Sequence, residues 1–381
     1  MGWGAVTIEA IEIRKVALPL KEPFRASVGV FCARDVLLVR VVTSDAEGWG
    51  ECVALPEPRY SAEYVDGAAD LLRRFLVPAL PPSVDAHGVA PALAPFRGHP
   101  MAKAALETAV LDAQLRARGD SLGRYLGAAR QRVACGVSVG IMGSVPELLD
   151  AVAGYLAQGY VRIKLKIEPG WDIEPVRAVR ERFGDDLMLQ VDANGAYTPA
   201  DARHLAGLDA FELALIEQPL APGDLLGHAR LSRRLATPIC LDESIESAAQ
   251  AAAAISLGAA AIVNVKPGRV GGYLEARRIH DLCQAHGVAV WCGDMLESGI
   301  GRAANLALAA LPGFTLPADT CAAERYFATD VTEPLDYADG HLTVPTGPGI
   351  GAAPVKEVLD ELTLASEWLG VGDRKAGRPA S

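Results

Sequence analysis

Three acidic residues and one lysine recur along the chain at a nearly constant interval. Asp192, Glu217 and Asp242 follow one another at steps of 25 residues, and Lys266 comes 24 residues later. Each ends a short apolar run that predicts a buried strand. Since one strand-and-helix unit is about that long, each step moves one strand around a sheet, and the four side chains would meet at one rim.

Such a set of carboxylates predicts a metal site. Three converging carboxylates repel one another unless a cation lies between them, and oxygen ligands favour a hard divalent ion, Mg²⁺ first and Mn²⁺ second. An acid at a strand end is, taken alone, more often a helix N-cap. Asp192 is free of that role, because Thr198-Pro-Ala-Asp201 supplies a capping box of its own.

Lys164 and Lys166 provide a second chemical signal. They alternate with apolar residues in the run 161–167, so both ammonium groups lie on one face of a strand. Side by side, each favours loss of the other's proton, and one can then act as a base. Lys266 would reach in from four strands further round, which puts one lysine on each side of a metal-held substrate.

This arrangement suits proton transfer at the carbon beside a carboxylate. That carbon is a very weak acid, because removing its proton makes a doubly charged enediolate. A divalent ion on the carboxylate oxygens neutralises the developing charge. Bases on both faces allow removal from one side and return from the other, which is racemisation. They also allow removal followed by loss of a β-leaving group.

The elements that must position these residues follow a strand–turn–helix rhythm from about Val133. Amphipathic stretches such as Trp171–Phe183 and Gly271–His286 separate the apolar runs. Eight such runs over about 190 residues predict a parallel (β/α) barrel of the TIM type. A doubly wound open sheet is the alternative, but the turn Val139-Gly-Ile-Met-Gly143 is a poor match to its glycine-rich motif. The predicted strands are Ala134–Val139, Val161–Ile167, Leu187–Val191, Leu213–Glu217, Pro238–Leu241, Ala260–Val265, Val288–Cys292 and Phe314–Pro317.

The residues before the barrel predict an α+β unit. Strand-like runs occupy Ile8–Leu20, Asp35–Thr43 and Gly48–Val53, with a loop-like stretch at Lys21–Cys32. Helical periodicity follows in Tyr60–Leu76 and Ala102–Arg118. We therefore divide the chain into an α+β capping domain at 1–127, a catalytic barrel at 128–320, a segment at 321–371 that packs back on the capping domain, and a disordered tail at 372–381.

Composition narrows the choice of partners. The 381 residues include 47 acidic and 36 basic ones, for a net charge of −11, and no basic run predicts a nucleic-acid partner. No apolar run approaches the roughly 20 residues of a membrane span, and the N-terminus lacks the pattern of a secretory signal. Seven cysteines without a CxxC pair indicate buried thiols in a reducing compartment. We expect a cytoplasmic protein that binds a small molecule.

The chemical residues together resemble a known family. Lys164-x-Lys166, Asp192-x-Asn194, Glu217-Gln-Pro219, Asp242-Glu243 and Lys266 look like the muconate-lactonising branch of the enolase superfamily, whose lysine bases and Mg²⁺ are an established pattern. The likeness extends from Pro23-Phe-Arg25 and Gly48-Trp-Gly-Glu51 to Val344-Pro-Thr-Gly-Pro348.

The resemblance implies roles for particular residues. It implies a modified (β/α)₇β barrel in which Lys166 and Lys266 are opposed acid/base residues and Lys164 tunes Lys166. It implies Mg²⁺ held by Asp192, Glu217 and Asp242, with Mn²⁺ or Co²⁺ as substitutes, a small-molecule carboxylate as substrate and a homo-oligomer, an octamer by family likeness. The residues expected at or beside the substrate are Asn194, Phe24, Leu55, Tyr60, Asp294, Leu296 and Tyr326.

Within the branch, three stretches are similar to N-acylamino acid (N-succinylamino acid) racemases that also make o-succinylbenzoate: 136–142, 160–171 and 266–273. This likeness implies racemisation, with dehydration to o-succinylbenzoate as a further activity. A main role in menaquinone biosynthesis, or another cycloisomerase reaction, stays open. Dipeptide epimerases of the branch carry Asp-x-Asp after the eighth strand. This chain has Asp319-Thr-Cys321 there, so the second acid is missing, which argues against dipeptide epimerisation.

Two residues depart from the family pattern. Asp294 stands where a second glycine is commoner, and Tyr326 replaces a more typical Phe. They are either a change in a surface loop or a Tyr–Asp pair near the acyl amide that alters substrate preference. Gly299-Ile-Gly-Arg-Ala-Ala304 either holds an anionic group at a helix start or only caps the helix.

Two other classes of protein fit part of the pattern. A Schiff-base aldolase also places a lysine at a barrel strand end, but the three spaced acids would then have no role. A non-catalytic binding protein on the same scaffold would tolerate loss of a base or a ligand, yet all five positions are filled here.

Overall fold

The N-terminal unit is built on an antiparallel sheet. The computed structural model describes residues 4–26 and 29–371; the predicted disordered tail 372–381 lies outside them. Apolar residues alternate along the first strands, and their inward side chains, such as Ile11, Val39 and Val41, are fully buried. The strands of this unit are β1 (Val6–Ala26), β2 (Gly29–Thr43), β3 (Glu47–Cys52) and β4 (Ser83–Val84).

The first two strands are longer than the sequence predicted. The stretch Lys21–Cys32 was expected to be a loop, and for the described residues that prediction is wrong. After an irregularity between Pro19 and Phe24, pairing resumes and continues to Ala26 and Gly29. The extended hairpin reaches the barrel, where the backbone amide of Ile141 donates to the carbonyl of Arg25 at 3.0 Å. Long-range contacts therefore override the local loop signal of Pro23 and Gly29.

Helices cover one face of this sheet. The helix α4 (Pro100–Arg116) packs so closely on β3 that there is no room for a side chain at Gly48 or Gly50. A Cβ at Gly50 would lie 2.0 Å from the carbonyl oxygen of Ala105. This contact is the physical reason for Gly-Trp-Gly in β3. The helices are α1 (Val65–Leu71), continued by a π-helical turn (Leu72–Leu76) into α2 (Val77–Ala79), then α3 (Ala86–Leu93), α4 (Pro100–Arg116) and α5 (Leu122–Leu126).

A parallel sheet of seven strands follows. The strands lie side by side in chain order, all parallel, and their side chains form the largest buried cluster. This is the predicted barrel rather than an open doubly wound sheet, whose strand order would reverse at a crossover. The strands of this part are β5 (Arg132–Ala134), which stands outside the parallel sheet, then β6 (Gly136–Val139), β7 (Arg162–Lys166), β8 (Met188–Asp192), β9 (Ile216–Glu217), β10 (Ile239–Leu241), β11 (Ile262–Val265) and β12 (Ala289–Cys292).

The eighth predicted strand, Phe314–Pro317, is not a regular strand. Single parallel bridges join Phe314 to Val290 on one edge of the sheet and Ala318 to Cys135 beside the other. The backbone amide of Asp319 also donates to Cys292 at 2.9 Å, and that of Gly136 donates to Ala318 at 2.7 Å. The segment 314–319 thus closes the sheet into a barrel although it makes too few consecutive pairs to count as a strand.

Helices on the outside connect the barrel strands. The predicted capping box is confirmed at Thr198, whose backbone amide donates to the Asp201 carboxylate at 2.8 Å. The helices are α6 (Val145–Ala157), α7 (Ile173–Phe183), α8 (Ala202–Leu205) between 3₁₀ turns at Pro199–Asp201 and Ala206–Phe211, α9 (Leu225–Leu231), α10 (Ala248–Leu257), α11 (Pro267–Val270), α12 (Tyr273–Ala285) and α13 (Gly299–Ala309).

The chain then returns to the N-terminal unit. After a 3₁₀ turn (Ala323–Arg325) come β13 (Tyr337–Ala338), β14 (His341–Thr343), α14 (Lys356–Leu362) and β15 (Thr363–Leu369). The strand β15 pairs antiparallel with β1, so the end of the described chain completes the N-terminal sheet. No helix within residues 4–26 and 29–371 has the length and apolar character needed to cross a membrane. The seven cysteines are free, and all except Cys32 are buried.

Candidate active site

The three spaced acids lie at the carboxyl ends of adjacent barrel strands. Asp192 is the last residue of β8, Glu217 is the last of β9, and their Cα atoms are register partners. Asp242 directly follows β10. All three side chains are buried, because each ends a strand whose neighbours on both sides are covered. Three buried carboxylates on neighbouring strands require positive charge close by.

Lys166 lies on one side of this group. It ends β7, and its Nζ donates to Asp192 Oδ2 at 2.6 Å and to Asn194 Oδ1 at 2.7 Å. Asn194 in turn donates to Glu243 Oε1 at 2.9 Å. Asn194 holds a left-handed backbone conformation (φ 44°), which turns the chain sharply after β8 and brings its amide back over the lysine.

Lys266 lies on the other side. It directly follows β11, and its Nζ donates to Asp242 Oδ2 at 2.8 Å and to Tyr60 Oη at 3.3 Å. The neighbouring Gly293 is required for this placement, since a Cβ there would lie 2.7 Å from Cε of Lys266. Arg269 also pairs with Asp242. Burial alone would lower the pKa of Lys266, but the carboxylate of Asp242 raises it well above its ordinary value.

Lys164 fills the space between the acids. Its Nζ lies 3.1 Å from Glu217 Oε2 and 3.5 Å from Asp192 Oδ2, and it also pairs with Asp319. Burial would lower its pKa, but these three carboxylates raise it. The expected lowering by a neighbouring ammonium is therefore outweighed at Lys164, because its negative neighbours are nearer and more numerous.

The charges of this cluster are suited to a divalent cation. Burial, followed by repulsion from Asp192, raises the pKa of Glu217 to about 8, so a cation bound beside it would favour its carboxylate form. Within residues 4–26 and 29–371, no three His, Cys, Asp or Glu side chains already form a metal-binding group. The oxygen-only donors fit a hard cation, which would take over the charge compensation of the ammonium groups.

A cavity opens above the acids. Its volume is about 80 Å³, counting the space that the centre of a water molecule can occupy. The sequence-predicted residues Phe24, Leu55, Tyr60, Lys164, Lys166, Asn194, Lys266, Asp294, Leu296 and Tyr326 all line it, together with Ser138, Met295 and Asp319. Asp192, Glu217 and Asp242 do not line it, but each contacts a lysine that does.

Asp294 and Tyr326 form part of the wall rather than a surface loop. Asp294 Oδ2 is buried without a hydrogen-bond partner among the described residues, and the nearest guanidinium, that of Arg302, lies 3.8 Å away. Burial, followed by Asp319 and Glu297, raises the pKa of Asp294 to about 7. The ring of Tyr326 meets that of Phe24 edge to face at 6.0 Å. Both residues therefore line the cavity; their contact with a substrate stays a prediction.

Sequence reasoning missed several polar residues of the site. Asp319 was noticed only as half of a missing motif, yet it pairs with Lys164 and lies 2.7 Å from Nη1 of the buried Arg162. Asn264 donates to Glu217 Oε1 at 2.6 Å. Ser138 lines the cavity, and its hydroxyl is buried without a hydrogen-bond partner among the described residues. Ser138 and Asn264 lie within β6 and β11, and Asp319 ends the segment that closes the barrel; a polar residue within or just after an apolar barrel run was the signal that could have revealed them.

The glycine-rich start of α13 does bind an anion, and that anion belongs to the chain itself. The carboxylate of Glu51, from β3, accepts from the backbone amides of Ser298 and Gly301 at 3.0 and 3.1 Å and from Ser298 Oγ at 2.6 Å. Burial and the neighbouring Glu297 raise the pKa of Glu51 to about 7. The helix start therefore joins the two parts of the chain rather than holding a ligand.

A parallel barrel with paired lysines over buried acids at its carboxyl rim, closed by an α+β cap, defines an enzyme of the enolase type. Comparison with known families places the chain within that class. The model of the mandelate racemase / muconate lactonizing enzyme N-terminal domain matches residues 8–127, and that of the enolase C-terminal domain-like family matches residues 147–358. The chain belongs to this family, whose superfamily is metal-dependent.

Individual relatives agree with this placement. The chain is 63% identical over 365 residues to an N-succinylamino acid racemase from Amycolatopsis sp., covering 95% of this chain and 99% of the relative. It is 48% identical over 351 residues to an o-succinylbenzoate synthase from Geobacillus kaustophilus, covering 91% and 93%. The crystal structure of an enolase superfamily member from Listeria innocua superposes with a TM-score of 0.92 at 37% identity, covering 96% and 99%.

Proposed function

We propose that this enzyme racemises N-acyl amino acids, N-succinyl amino acids among them, by removing the proton beside the substrate carboxylate and returning one to the opposite face. The observation that carries the proposal is the pair of lysines. Lys166 and Lys266 line the same small cavity from strands four positions apart in the sheet. A substrate carbon between them would face one amine on each side, as racemisation requires.

We further propose Asp192, Glu217 and Asp242 as ligands of Mg²⁺, with Mn²⁺ or Co²⁺ as substitutes. Bound there, a divalent cation would neutralise the charge that develops on the substrate carboxylate as the α-proton leaves. The chain's own residues supply the rest. One lysine Nζ accepts the α-proton while the other donates from the opposite face, and Asn194 orients Lys166 through its 2.7 Å hydrogen bond.

The cap completes the site in this proposal. Tyr60 lies on the loop 55–64, and its hydroxyl lies 3.3 Å from Lys266 Nζ and 3.4 Å from Asp242 Oδ2. Phe24, Leu55 and Leu296 supply apolar walls, which exclude water and strengthen the electrostatic interactions of the lysines. We assign the substrate's acyl group to the side of the cavity formed by Asp294 and Tyr326.

Dehydration to o-succinylbenzoate is the second activity that we propose. It begins with the same α-proton removal and then expels a β-hydroxyl, so it needs no residue beyond those already named. The 48% identity to a synthase of that name supports it. A cytoplasmic location and assembly into a homo-octamer belong to the same proposal.

The test uses single enantiomers of N-succinyl and N-acetyl amino acids in D₂O with Mg²⁺. We expect loss of optical rotation together with deuterium at the α-carbon by NMR. The matched controls are the same amino acids without an acyl group and dipeptides with a free ammonium, which should react far more slowly. A second assay supplies the β-hydroxy acid precursor of o-succinylbenzoate. Trapping of the protein by borohydride with substrate, without α-deuteration, would instead favour an aldolase.

A further inference from the structure

Arg34 is a buried arginine at the junction between the cap and the barrel. It lies in β2, opposite Leu18 of β1, and its side chain is among the largest that are fully buried. Among the described residues, no carboxylate forms a close ion pair with its guanidinium. Instead Nη1 donates to the carbonyl oxygens of Ala54 at 2.6 Å and Asp35 at 2.7 Å, and Nε donates to that of Leu296 at 3.2 Å.

The two distant carbonyls belong to two separate segments that line the cavity, one from the cap and one from the barrel rim. Ala54 precedes Leu55, which begins the loop 55–64 of the cap; a bridge between Leu55 and Tyr64 closes that loop. Leu296 belongs to the barrel rim after β12 and holds a left-handed backbone (φ 56°), a conformation that a leucine adopts only when its surroundings enforce it. The side chains of Leu55 and Leu296 both line the cavity.

Carboxylates around Arg34 explain how its charge is kept in the interior. Burial lowers the pKa of Arg34, whereas Glu51 and Glu297 oppose that effect. Glu51 also holds Ser298, and Glu297 accepts from the amide of Met295 at 2.8 Å. The same two acids therefore fix the backbone on both sides of Leu296, and the guanidinium is held rigidly between the rim and the cap.

We propose that Arg34 is a positioning residue, which sets the spacing between the Leu55 wall and the Leu296 wall of the substrate pocket by bonding both backbones with one planar guanidinium. A lysine cannot reproduce this function, because its single ammonium lacks the fork of donors that spans two carbonyls. The predicted effect on KM rests on the proposed racemase function, whereas the predicted anchoring of the loop 55–64 does not.

The test compares Arg34→Lys with a matched variant elsewhere. Arg180, on α7, is also buried and bonds the backbone carbonyls of Phe211 and Leu187 at 2.8 and 2.7 Å, but neither of these two residues lines the cavity. We expect Arg34→Lys to raise KM about tenfold or more with a smaller change in kcat, since misplaced binding groups cost up to about 10²-fold. Arg180→Lys should lower thermal stability similarly and leave KM unchanged.

A second readout is independent of the reaction. Arg59, at the tip of the loop 55–64, is exposed, so trypsin cleavage between Arg59 and Tyr60, followed by mass spectrometry, reports on the anchoring of that loop. We expect faster cleavage in Arg34→Lys and wild-type cleavage in Arg180→Lys. Arg34→Met, which keeps volume without the buried charge, should behave like Arg34→Lys.

Three results would overturn the inference. One is wild-type KM and cleavage in both Arg34 variants, and another is an equal rise of KM in Arg180→Lys. The third is failure of both Arg34 variants to fold while Arg180→Lys folds, which would show a folding role instead. If wild-type enzyme does not racemise N-acyl amino acids, the proposed function fails, and the cleavage assay still tests Arg34.

Discussion

Truncating each lysine in turn tests the two-sided geometry most directly. Lys166→Ala should stop exchange of the α-proton with D₂O for one enantiomer of an N-succinyl amino acid and leave exchange of the other. Lys266→Ala should give the complementary result, and neither variant should racemise. The reason is that the two amines line one cavity from opposite strands, so each reaches only one face of the carbon. NMR of single enantiomers in D₂O measures both rates.

The structure sets the expected size of these losses. Removing a general base costs about 10²–10⁴-fold in rate, or about 2.7–5.5 kcal/mol of barrier. Truncation also removes an ion pair from a buried carboxylate. Asp242 would keep Arg269 as a partner after loss of Lys266, and Asp192 would keep Lys164 at 3.5 Å after loss of Lys166. Because a cation remains beside each acid, we expect stability losses below the roughly 3–5 kcal/mol of a fully unpaired buried charge.

The retained exchange is the internal control. A variant that exchanges one enantiomer at near wild-type rate has a folded site, so its lost half-reaction reports on the missing amine alone. Wild-type exchange of both enantiomers by either variant would refute the two-base reasoning. The lysine that remained essential would then be the base of a one-sided eliminase, with the other lysine only stabilising charge.

Three further predictions follow from the charges of the site. EDTA should abolish activity, and Mg²⁺, Mn²⁺ or Co²⁺ should restore it. Glu217→Gln should raise the Mg²⁺ concentration needed for half-maximal activity. Full activity in verified metal-free enzyme would exclude the metal site. Asp294→Gly should shift the ratio of kcat/KM for N-acetyl and N-succinyl substrates by about 1–3 kcal/mol, and equal changes for every acyl group would argue against contact with substrate. Asp319→Asn should destabilise the fold by up to about 3–5 kcal/mol, measured by denaturant unfolding. Burial would raise the pKa of Asp319, but Lys164 and Arg162 hold that pKa well below its usual range. The carboxylate therefore stabilises the fold above its unfolded pKa of about 3.9, and this stabilisation is lost as pH falls. The variant should accordingly lose less stability than wild type between pH 5 and pH 3.

Some of the barrel could be predicted because its signals are local. Apolar runs ended by an acid gave strands β8, β9 and β10 close to their observed positions, and the 25-residue spacing placed Asp192, Glu217 and Asp242 on adjacent strands. Alternation correctly put Lys164 and Lys166 on one face, since both line the cavity. A strand's period of two and a helix's capping box each depend on residues within a few positions.

The closure of the fold could not be predicted in the same way. The segment 314–319 joins both edges of the sheet through single bridges, and the hairpin through Phe24 extends where proline and glycine predicted a loop. Both depend on partners far away in the chain. A segment with a weak local preference takes the conformation that its neighbours in space allow.

The sequence by itself determined where the chemical residues lie along the fold: three acids and two lysines, each at the end of a predicted barrel strand, predict a site for α-proton transfer beside a carboxylate. The tertiary structure alone decided which charges pair there. Asp319 reaches Lys164 from 155 residues away, and Arg34 reaches Leu296 across 262 residues. The physical reason is that buried ion pairs and hydrogen bonds between distant segments form only after the chain has packed, and no local period records them.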